Sequence, residues 1–114
     1  MANPKKSKEI GKKGEMLAVN FLKELGFTLL ATNYHSKYGE IDIIATHPPD
    51  HLHFFEVKTR SPNSMNRPEE SITYQKKQRL IKTALTFLQK TNTIPIKSWR
   101  ISLISILLKS AWRS

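Results

Sequence analysis

The sequence predicts a single α/β domain, and three observations support this fold class. Apolar residues recur at helical spacing in two segments, they alternate or run together in four shorter segments, and residues typical of turns separate these segments. The resulting order is helix, three strands, helix, strand. With 114 residues, the chain is long enough for one such core and too short for a second domain. We expect one domain over residues 1–114, with flexible tails at residues 1–8 and 109–114.

Two helices are predicted. The first runs from Ser7 to Leu25, because Gly26 is a typical residue just after a helix end. Its expected buried face consists of Leu17, Phe21, Leu22 and Leu25. The second helix runs from a capping residue at Thr73 to about Lys90. Its expected apolar face consists of Leu80, Ala84, Leu85 and Leu88.

Four strands are predicted from short segments rich in Ile, Val and Phe. They cover about Phe27–His35, Glu40–Thr46, Leu52–Thr59 and Lys97–Leu107. The turns between the first three strands read SKYG and HPPD, and both contain residues that favour tight turns. Residues 61–71 contain two prolines and are predicted to form a loop before the second helix.

The composition points to a polyanionic partner. Nineteen Lys and Arg residues against nine Asp and Glu residues produce a net charge of +10. Nucleic acid is favoured over a membrane surface, because no helix combines a large apolar face with basic flanks. No apolar run is long enough to span a bilayer and no signal peptide is evident, so we expect a cytoplasmic location. The absence of cysteine excludes disulfides, thiolate metal sites and a cysteine nucleophile.

The segment GEIDIIATHPPDHLHFFEVKTRS places charged residues within two otherwise apolar strands. Because side chains alternate along a strand, residues 41, 43 and 45 are predicted on one face and residues 40, 42 and 44 on the other. A hairpin centred on Pro49 would place Asp42 opposite Glu56 and Glu40 opposite Lys58. The sequence therefore predicts two carboxylates and a lysine on one face of the hairpin.

Two carboxylates that face each other on neighbouring strands repel, unless a cation or a shared proton lies between them. Mg²⁺ suits such a pair, because it prefers oxygen ligands and is commonly held by one or two carboxylates together with phosphate oxygens. Lys58 would then position or deprotonate an attacking water, or offset the charge on a phosphate. The alternative is structural: Glu40 bridges Lys58, while Asp42 and Glu56 pair with basic side chains of the second helix.

Asp42 followed by Glu56-Val57-Lys58 resembles the Asp...(Asp/Glu)-x-Lys signature of the restriction-endonuclease-like nucleases. Four longer segments extend the resemblance: GKKGEMLAVNFLKELGF, NYHSKYGEIDIIA, FFEVKTRS and SITYQKKQRLIKTA. From Gly11 to about Leu108, the chain looks like the YraN family of small bacterial proteins, which are similar in turn to archaeal Holliday-junction resolvases. The resemblance implies a three-layer fold, with a central mixed sheet of four to five strands flanked by helices.

The resemblance also implies a catalytic site. Asp42, Glu56 and Lys58 would form its core, and Glu15 of the first helix would join Asp42 and Glu56 as a ligand of Mg²⁺ or Mn²⁺. Glu15 lies one turn before Ala18, near the inward edge of its helix, and an exposed surface glutamate is the alternative. The implied activity is hydrolysis of phosphodiester bonds in DNA, including branched or structured substrates.

Basic residues outside this core are candidates for contacts with nucleic acid. Lys76 of the second helix matches a lysine of the family, and its basic neighbours would also meet backbone phosphates. The predicted phosphate contacts are Lys12, Lys13, Lys37, Arg60, Lys76, Lys77 and Arg79. A merely solvated basic surface is the alternative for each of them. DNA is favoured over RNA as the partner.

The chain departs from the family pattern at a few positions. His35 and Lys37 stand where the family usually has arginine, and Ser102 stands where it has aspartate. Three further histidines crowd the predicted hairpin tip, where a polar turn is favoured over a metal site: His47, His51 and His53.

Three classes of function remain open. The first is a metal-dependent nuclease, the second a nucleic-acid-binding module that keeps the fold but does not cut, and the third an assembly factor that docks through its basic surface. Cutting both strands of a junction would call for a homodimer, with the region of Trp99 or Trp112 as the predicted interface.

Overall fold

The computed structural model describes residues 4–60, 72–91 and 98–108, with side chains described from Lys8 onward. Its elements are α1 (Pro4–Glu24), β1 (Thr28–Ser36), β2 (Gly39–His47), β3 (His51–Arg60), α2 (Tyr74–Lys90) and β4 (Ser98–Leu107). The predicted order of elements is confirmed. The helix α1 begins three residues earlier than predicted, inside the expected N-terminal tail. The predicted loop at residues 61–71 and the C-terminal tail at residues 109–114 lie outside the described residues.

The four strands form one mixed sheet in the order β1-β2-β3-β4. The first two pairings are antiparallel, and β3 pairs with β4 in parallel. Parallel neighbours need a crossover connection, and the segment that contains α2 provides it. The α/β class with a mixed sheet of four strands is therefore confirmed. No helix in the described part of the chain is long and apolar enough to cross a membrane.

One helix covers each face of the sheet. Ile41, Ile44 and Phe54 pack against α2 in one buried cluster, whereas Ile43 and Phe55 pack against α1 in the other. The sheet is thus the middle of three layers, an arrangement consistent with the restriction-endonuclease-like fold. Because both faces are covered, the central strands β2 and β3 are apolar along most of their length.

The buried face of α1 differs from the prediction. Ala18 and Leu22 are buried, whereas Leu17, Phe21 and Leu25 are 43%, 54% and 52% exposed. The helix approaches the sheet through its small residues, because a β-carbon at Gly14 would lie 1.8 Å from Thr59 Oγ1. Such close packing favours the face that carries glycine and alanine over the face with larger side chains.

The helix α2 begins where the sequence predicts. The Thr73 hydroxyl accepts a hydrogen bond from the backbone N–H of Lys76, at 3.2 Å, as an N-cap residue does. The buried residues of α2 are Leu80, Thr83, Ala84 and Phe87. The prediction for Leu85 is wrong, since it is 47% exposed while Phe87 fills the core. The buried Thr83 hydroxyl is satisfied locally, because it donates to the Arg79 carbonyl at 2.9 Å.

Replacing the cap of α2 tests its contribution to stability. We expect Thr73→Ala to lower the free energy of unfolding by about 1 kcal/mol, because a backbone N–H at the helix start loses its acceptor. Thr86→Ala is the matched control: it removes a hydroxyl that bonds only the Lys82 carbonyl within the helix, and alanine favours helix interiors. Urea denaturation followed by circular dichroism measures both. Equal losses for the two variants would contradict the capping role.

The strand β2 changes face at one point. Ile41 packs on the α2 side and Ile43 on the α1 side, although residues two apart normally share a face. The prediction that residues 41 and 43 share a face is therefore wrong. The neighbouring strand β1 is irregular at the same place. Its Asn33 has a positive φ of 51° and lies between the pairs Thr32↔Ile43 and Tyr34↔Ile41. Asparagine tolerates this conformation better than most residues. The face change places Asp42 at an irregular point of the sheet.

Candidate functional site

From the turn as far as Ile43, the residue after Asp42 in the chain, the hairpin of β2 and β3 has the predicted register. The paired segment runs from His47↔His51 to Ile43↔Phe55 and ends there. Beyond it, the Asp42 Oδ2 accepts a hydrogen bond of 2.8 Å from the backbone N–H of Val57. A side chain thus binds a backbone donor of the neighbouring strand where the ladder ends. This bond holds the Asp42 carboxylate beside β3.

Glu56 is the buried acid of the site. It is 7% exposed, and its Oε2 forms an ion pair with the ammonium group of Lys76 from α2. The structural alternative considered for the acidic pair is thus confirmed for Glu56. Asp42 differs from Glu56, because its carboxylate accepts a hydrogen bond from the backbone N–H of Val57. Glu40 lies next to His35, with 3.8 Å between its Oε2 and the imidazole Nε2, and the predicted Glu40–Lys58 opposition falls outside the paired segment.

The surroundings of Asp42 are unfavourable to its charged form. Burial raises the pKa of Asp42 from 3.8 to about 6, against the opposing effect of the hydrogen bond from Val57. The negative charges of Glu56, Glu15 and Glu40 raise the pKa further, in that order. Acidic groups from α1, β2 and β3 therefore act on one carboxylate. A cation near Asp42 would relieve this repulsion.

Lys58 is the third residue of the predicted core. It is half-buried on β3, two residues after Glu56. The pKa of Lys58 is lowered, first by the positive charge of Lys76, then by burial and by a hydrogen bond with Lys76, while Glu56 acts in the opposite direction. The two lysines therefore lie close together beside one glutamate. The neutral form of Lys58 is easier to reach than that of an ordinary lysine.

An open cleft of about 210 Å³ joins β2, β3 and α2 at these residues. Its lining is Gly39, Glu40, Asp42, Glu56, Lys76, Arg79 and Leu80. The two predicted metal ligands of the hairpin, Asp42 and Glu56, thus share one cleft with two basic residues of α2. Carboxylate oxygens for a cation and basic groups for a phosphate occur side by side.

Glu15 approaches the site from the other side of the sheet. It is half-buried and lines a groove between α1 and β1, together with Lys12, Thr32 and Asn33. The close contact of Gly14 with Thr59 brings this part of α1 onto β3. The charge of Glu15 reaches Asp42, since it contributes to the raised pKa there. Within residues 4–60, 72–91 and 98–108, however, no three His, Asp or Glu side chains form a group that could hold a metal ion.

The other basic residues lie on α2, beside Tyr38, on α1 and at the end of β3. On the side of α2, Arg79 lines the cleft and Lys77 is exposed. Nearby, the ammonium groups of Lys37 and Lys82 lie 5.3 and 5.6 Å from the ring centroid of Tyr38. On α1, Lys12 and Lys13 are exposed. Arg60 is half-buried at the end of β3. Their contacts with nucleic acid stay predictions.

Two of the three histidines near the hairpin tip, His47 and His53, pack against Phe27. The rings of His47 and His53 lie 4.7 and 5.0 Å from that of Phe27. The His51 Nδ1 is 2.5 Å from the Ser98 hydroxyl. Burial lowers the pKa of His53, and the charge of Arg100 lowers it further. These contacts place the three histidines beside Phe27 and Ser98, and the polar turn stays a prediction.

Two features of the site were not predicted from the sequence. The first is the identity of the residue that pairs with Glu56: a basic side chain of the second helix was one alternative, but Lys76 itself was expected to meet phosphate. The second is Asn33, whose positive φ accompanies the face change beside Asp42. Asparagine is depleted in strands, so its position within a predicted strand was the available signal. Ser102, where the chain departs from the family pattern, pairs with Phe55, one register position from the pair of Glu56 with Leu103.

Fold and site together define an α/β protein of three layers whose central hairpin places Asp42 and Glu56 in one cleft with basic residues of α2. The chain belongs to the uncharacterised protein family UPF0102, whose family model matches residues 14–106. This confirms the resemblance to the YraN family.

Individual relatives cover most of the chain. A UPF0102 protein of Dictyoglomus turgidum is 42% identical over 102 residues, which are 90% of this chain and 85% of the relative. A UPF0102 protein of Hahella chejuensis is 45% identical over 85 residues, 75% of this chain and 68% of the relative. One of Bifidobacterium longum is 36% identical over 103 residues, 90% and 83% of the two chains.

Proposed function

We propose that this protein is a metal-dependent nuclease that hydrolyses phosphodiester bonds in DNA, including branched or structured substrates. The observation that carries the proposal is the environment of Asp42. Its carboxylate is held beside Glu56 in a cleft although burial and three neighbouring acids disfavour its charge. A residue kept under such repulsion is a candidate for a functional site, because a neutral residue would serve the fold better.

The donor set fits Mg²⁺ or Mn²⁺. Asp42 and Glu56 offer carboxylate oxygens, which these ions prefer, and Mg²⁺ is commonly held by one or two carboxylates with waters and substrate phosphates completing the coordination. Two protein ligands are therefore sufficient for binding, and Glu15 would be a third from α1. A bound ion would lower the pKa of a coordinated water and neutralise charge on the phosphate.

The protein's own residues would orient the substrate and stabilise developing charge. Lys58, placed beside Glu56 and with a lowered pKa, would hold the attacking water or accept its proton, or donate to the phosphate oxygens. Arg79 on the rim of the cleft would contact the next phosphate. The Val57 N–H keeps Asp42 in place throughout.

The wider basic surface supports DNA as the partner. A net charge of +10 favours a polyanion, and the predicted phosphate contacts lie on α1, on α2, on the turn between β1 and β2 and at the end of β3. Contacts of this kind confer affinity without sequence preference. A homodimer that cuts both strands and a cytoplasmic location are further parts of the proposal.

Cleavage of an end-labelled panel tests the proposal: duplex, single strand, flap, four-way junction and structured RNA, each with Mg²⁺, with Mn²⁺ and with EDTA. We expect products from the wild type that require metal, and a loss of at least about 100-fold in rate for Asp42→Ala and Glu56→Ala. Products from RNA alone would change the substrate class. Intact substrates under all conditions, with both metals, would overturn the catalytic proposal.

One observation favours a second candidate, a nucleic-acid-binding module without catalysis. Glu56 already has a counter-ion in Lys76, so the buried charge is compensated without a metal. Such a module, or an assembly factor with the same fold, would bind DNA or RNA in a salt-sensitive way and yield no metal-dependent products. The same panel, run beside a filter-binding assay, separates the two candidates.

A further inference from the structure

The ion pair between Lys76 and Glu56 joins two elements at the centre of the cleft. Lys76 lies in the first turn of α2, where its backbone N–H is held by the Thr73 cap. Its side chain crosses from the helix to the buried carboxylate of β3. The side chain of Glu56 is 9% exposed, whereas that of Lys76 is 33% exposed. One partner is therefore enclosed, and the other reaches solvent.

This pair occupies an oxygen that a metal ion would use. A divalent cation bound by Asp42 and Glu56 would lie beside the ammonium group of Lys76, which already forms an ion pair with Glu56. Two like charges in a partly buried cleft are unfavourable, so full occupancy by both cations is disfavoured. The ammonium group of Lys76 and the metal ion are thus competitors for Glu56.

Only one partner of the ion pair can move away without exposing the core. Glu56 is on the middle of a central strand and cannot turn outward, whereas Lys76 has a flexible stem with part of its surface in solvent. Arg79, one turn further along α2, lines the same cleft and marks the side on which a phosphate would arrive. A phosphate there would give the displaced ammonium group a new partner.

We propose that Lys76 is the resident counter-ion of Glu56 and gates metal binding: the ion pair must open before Glu56 can ligate a divalent cation, and substrate phosphate receives the released lysine. This inference rests on the proposed function, because it concerns how the same site is loaded. Metal binding and DNA binding then assist each other, since each favours the open pair. Lys76 acts as a positioning residue of the site.

Metal affinity of the complete protein without substrate tests the gate. Electron paramagnetic resonance of free Mn²⁺ measures binding to the wild type and to Lys76→Gln, with Glu56→Gln as the reference for a damaged site. If the pair is closed about 90% of the time, opening it permanently strengthens Mn²⁺ binding about tenfold. Lys82→Gln is the matched control, because it removes the same charge from an exposed position of α2, close to Tyr38.

The outcomes separate the gate from the proposed function. Tighter Mn²⁺ binding by Lys76→Gln than by Lys82→Gln supports the gate. Equal affinities in wild type and both lysine variants overturn the gate and leave the metal site standing. No Mn²⁺ binding by any of them overturns the gate and the proposed metal site together.

A measurement on the wild type keeps the inference testable if Lys76→Gln does not fold. The side-chain ¹⁵N signal of Lys76 is followed by NMR during a titration with Mg²⁺. We expect it to move toward the signals of exposed lysines as the backbone amides of Asp42 and Val57 shift. Shifts of those amides with an unchanged Lys76 signal would overturn the gate alone, and no shift anywhere would overturn both proposals.

Discussion

Asp42→Asn is expected to remove metal-dependent cleavage and at the same time to stabilise the fold at pH 7. Asparagine keeps an oxygen that can accept the Val57 N–H, and it removes the charge that burial and the neighbouring acids disfavour. A rise in pKa from 3.8 to about 6 corresponds to about 3 kcal/mol for a fully buried group. Screening by water at this half-buried position reduces the expected gain to about 1–2 kcal/mol.

The difference in unfolding free energy between the wild type and Asp42→Asn should depend on pH, and the pKa of Asp42 fixes the direction of this dependence. Since the folded-state pKa of Asp42 lies above the unfolded value, the folded wild type takes up a proton as the pH falls through about 6, whereas the unfolded chain does not until about 3.8. The advantage of Asp42→Asn should therefore be full above pH 7 and disappear near pH 4. Urea denaturation at several pH values measures it.

Glu24→Gln is the control for this experiment, because Glu24 is an exposed acid at the end of α1. Its effect on the free energy of unfolding should stay within about 0.5 kcal/mol. A wild type more stable than Asp42→Asn at pH 7 would show that the carboxylate serves the fold, and would remove the main support for a functional site.

Gly14→Ala is expected to destabilise the protein by about 1–3 kcal/mol, although alanine is the better helix former. The new β-carbon would lie 1.8 Å from Thr59 Oγ1 and 2.8 Å from its Cβ, so α1 must move away from β3. Gly11→Ala is the matched control in the same helix, because nothing lies within 4 Å of that position. We expect it to stabilise by about 0.5–1 kcal/mol.

Opposite signs for the two glycine variants in a denaturation experiment would confirm the close approach of α1 to β3. Thr59→Ala in the Gly14→Ala background should restore part of the loss, since it removes Oγ1 and Cγ2 but leaves Cβ. Because Glu15 follows Gly14 directly, its effect on the pKa of Asp42 should also weaken in Gly14→Ala. Stabilisation by both glycine variants would contradict the packing of α1 described here.

Much of the fold follows from local sequence patterns. Alternation and turn residues locate the strands to within a residue or two, because a strand of a covered sheet needs apolar side chains and a break at each end. The short HPPD turn limits the hairpin to few registers, and the predicted one is found up to Ile43↔Phe55. Thr73 is likewise found as the cap of α2, because its hydroxyl accepts a hydrogen bond from a backbone N–H only three residues further along the chain.

The buried faces of the helices were less predictable. Helical spacing in α1 is compatible with a face of large residues such as Leu17 and Phe21, yet the helix packs through Gly14 and Ala18. Periodicity reports which residues share a face, whereas the choice between faces depends on the shape of the sheet below. In α2, Phe87 is buried and Leu85 is exposed for the same reason.

The sequence by itself determined the order of the elements, the excess of positive charge and the proximity of Asp42 to Glu56, which line one cleft. These follow from composition and from neighbours close along the chain. The tertiary structure alone decided the face change at Asn33 and Asp42, the approach of Glu15, and the pairing of Glu56 with Lys76. These features depend on contacts between separate elements of the fold. For Glu56, burial and charge decide which of the many basic residues becomes its partner.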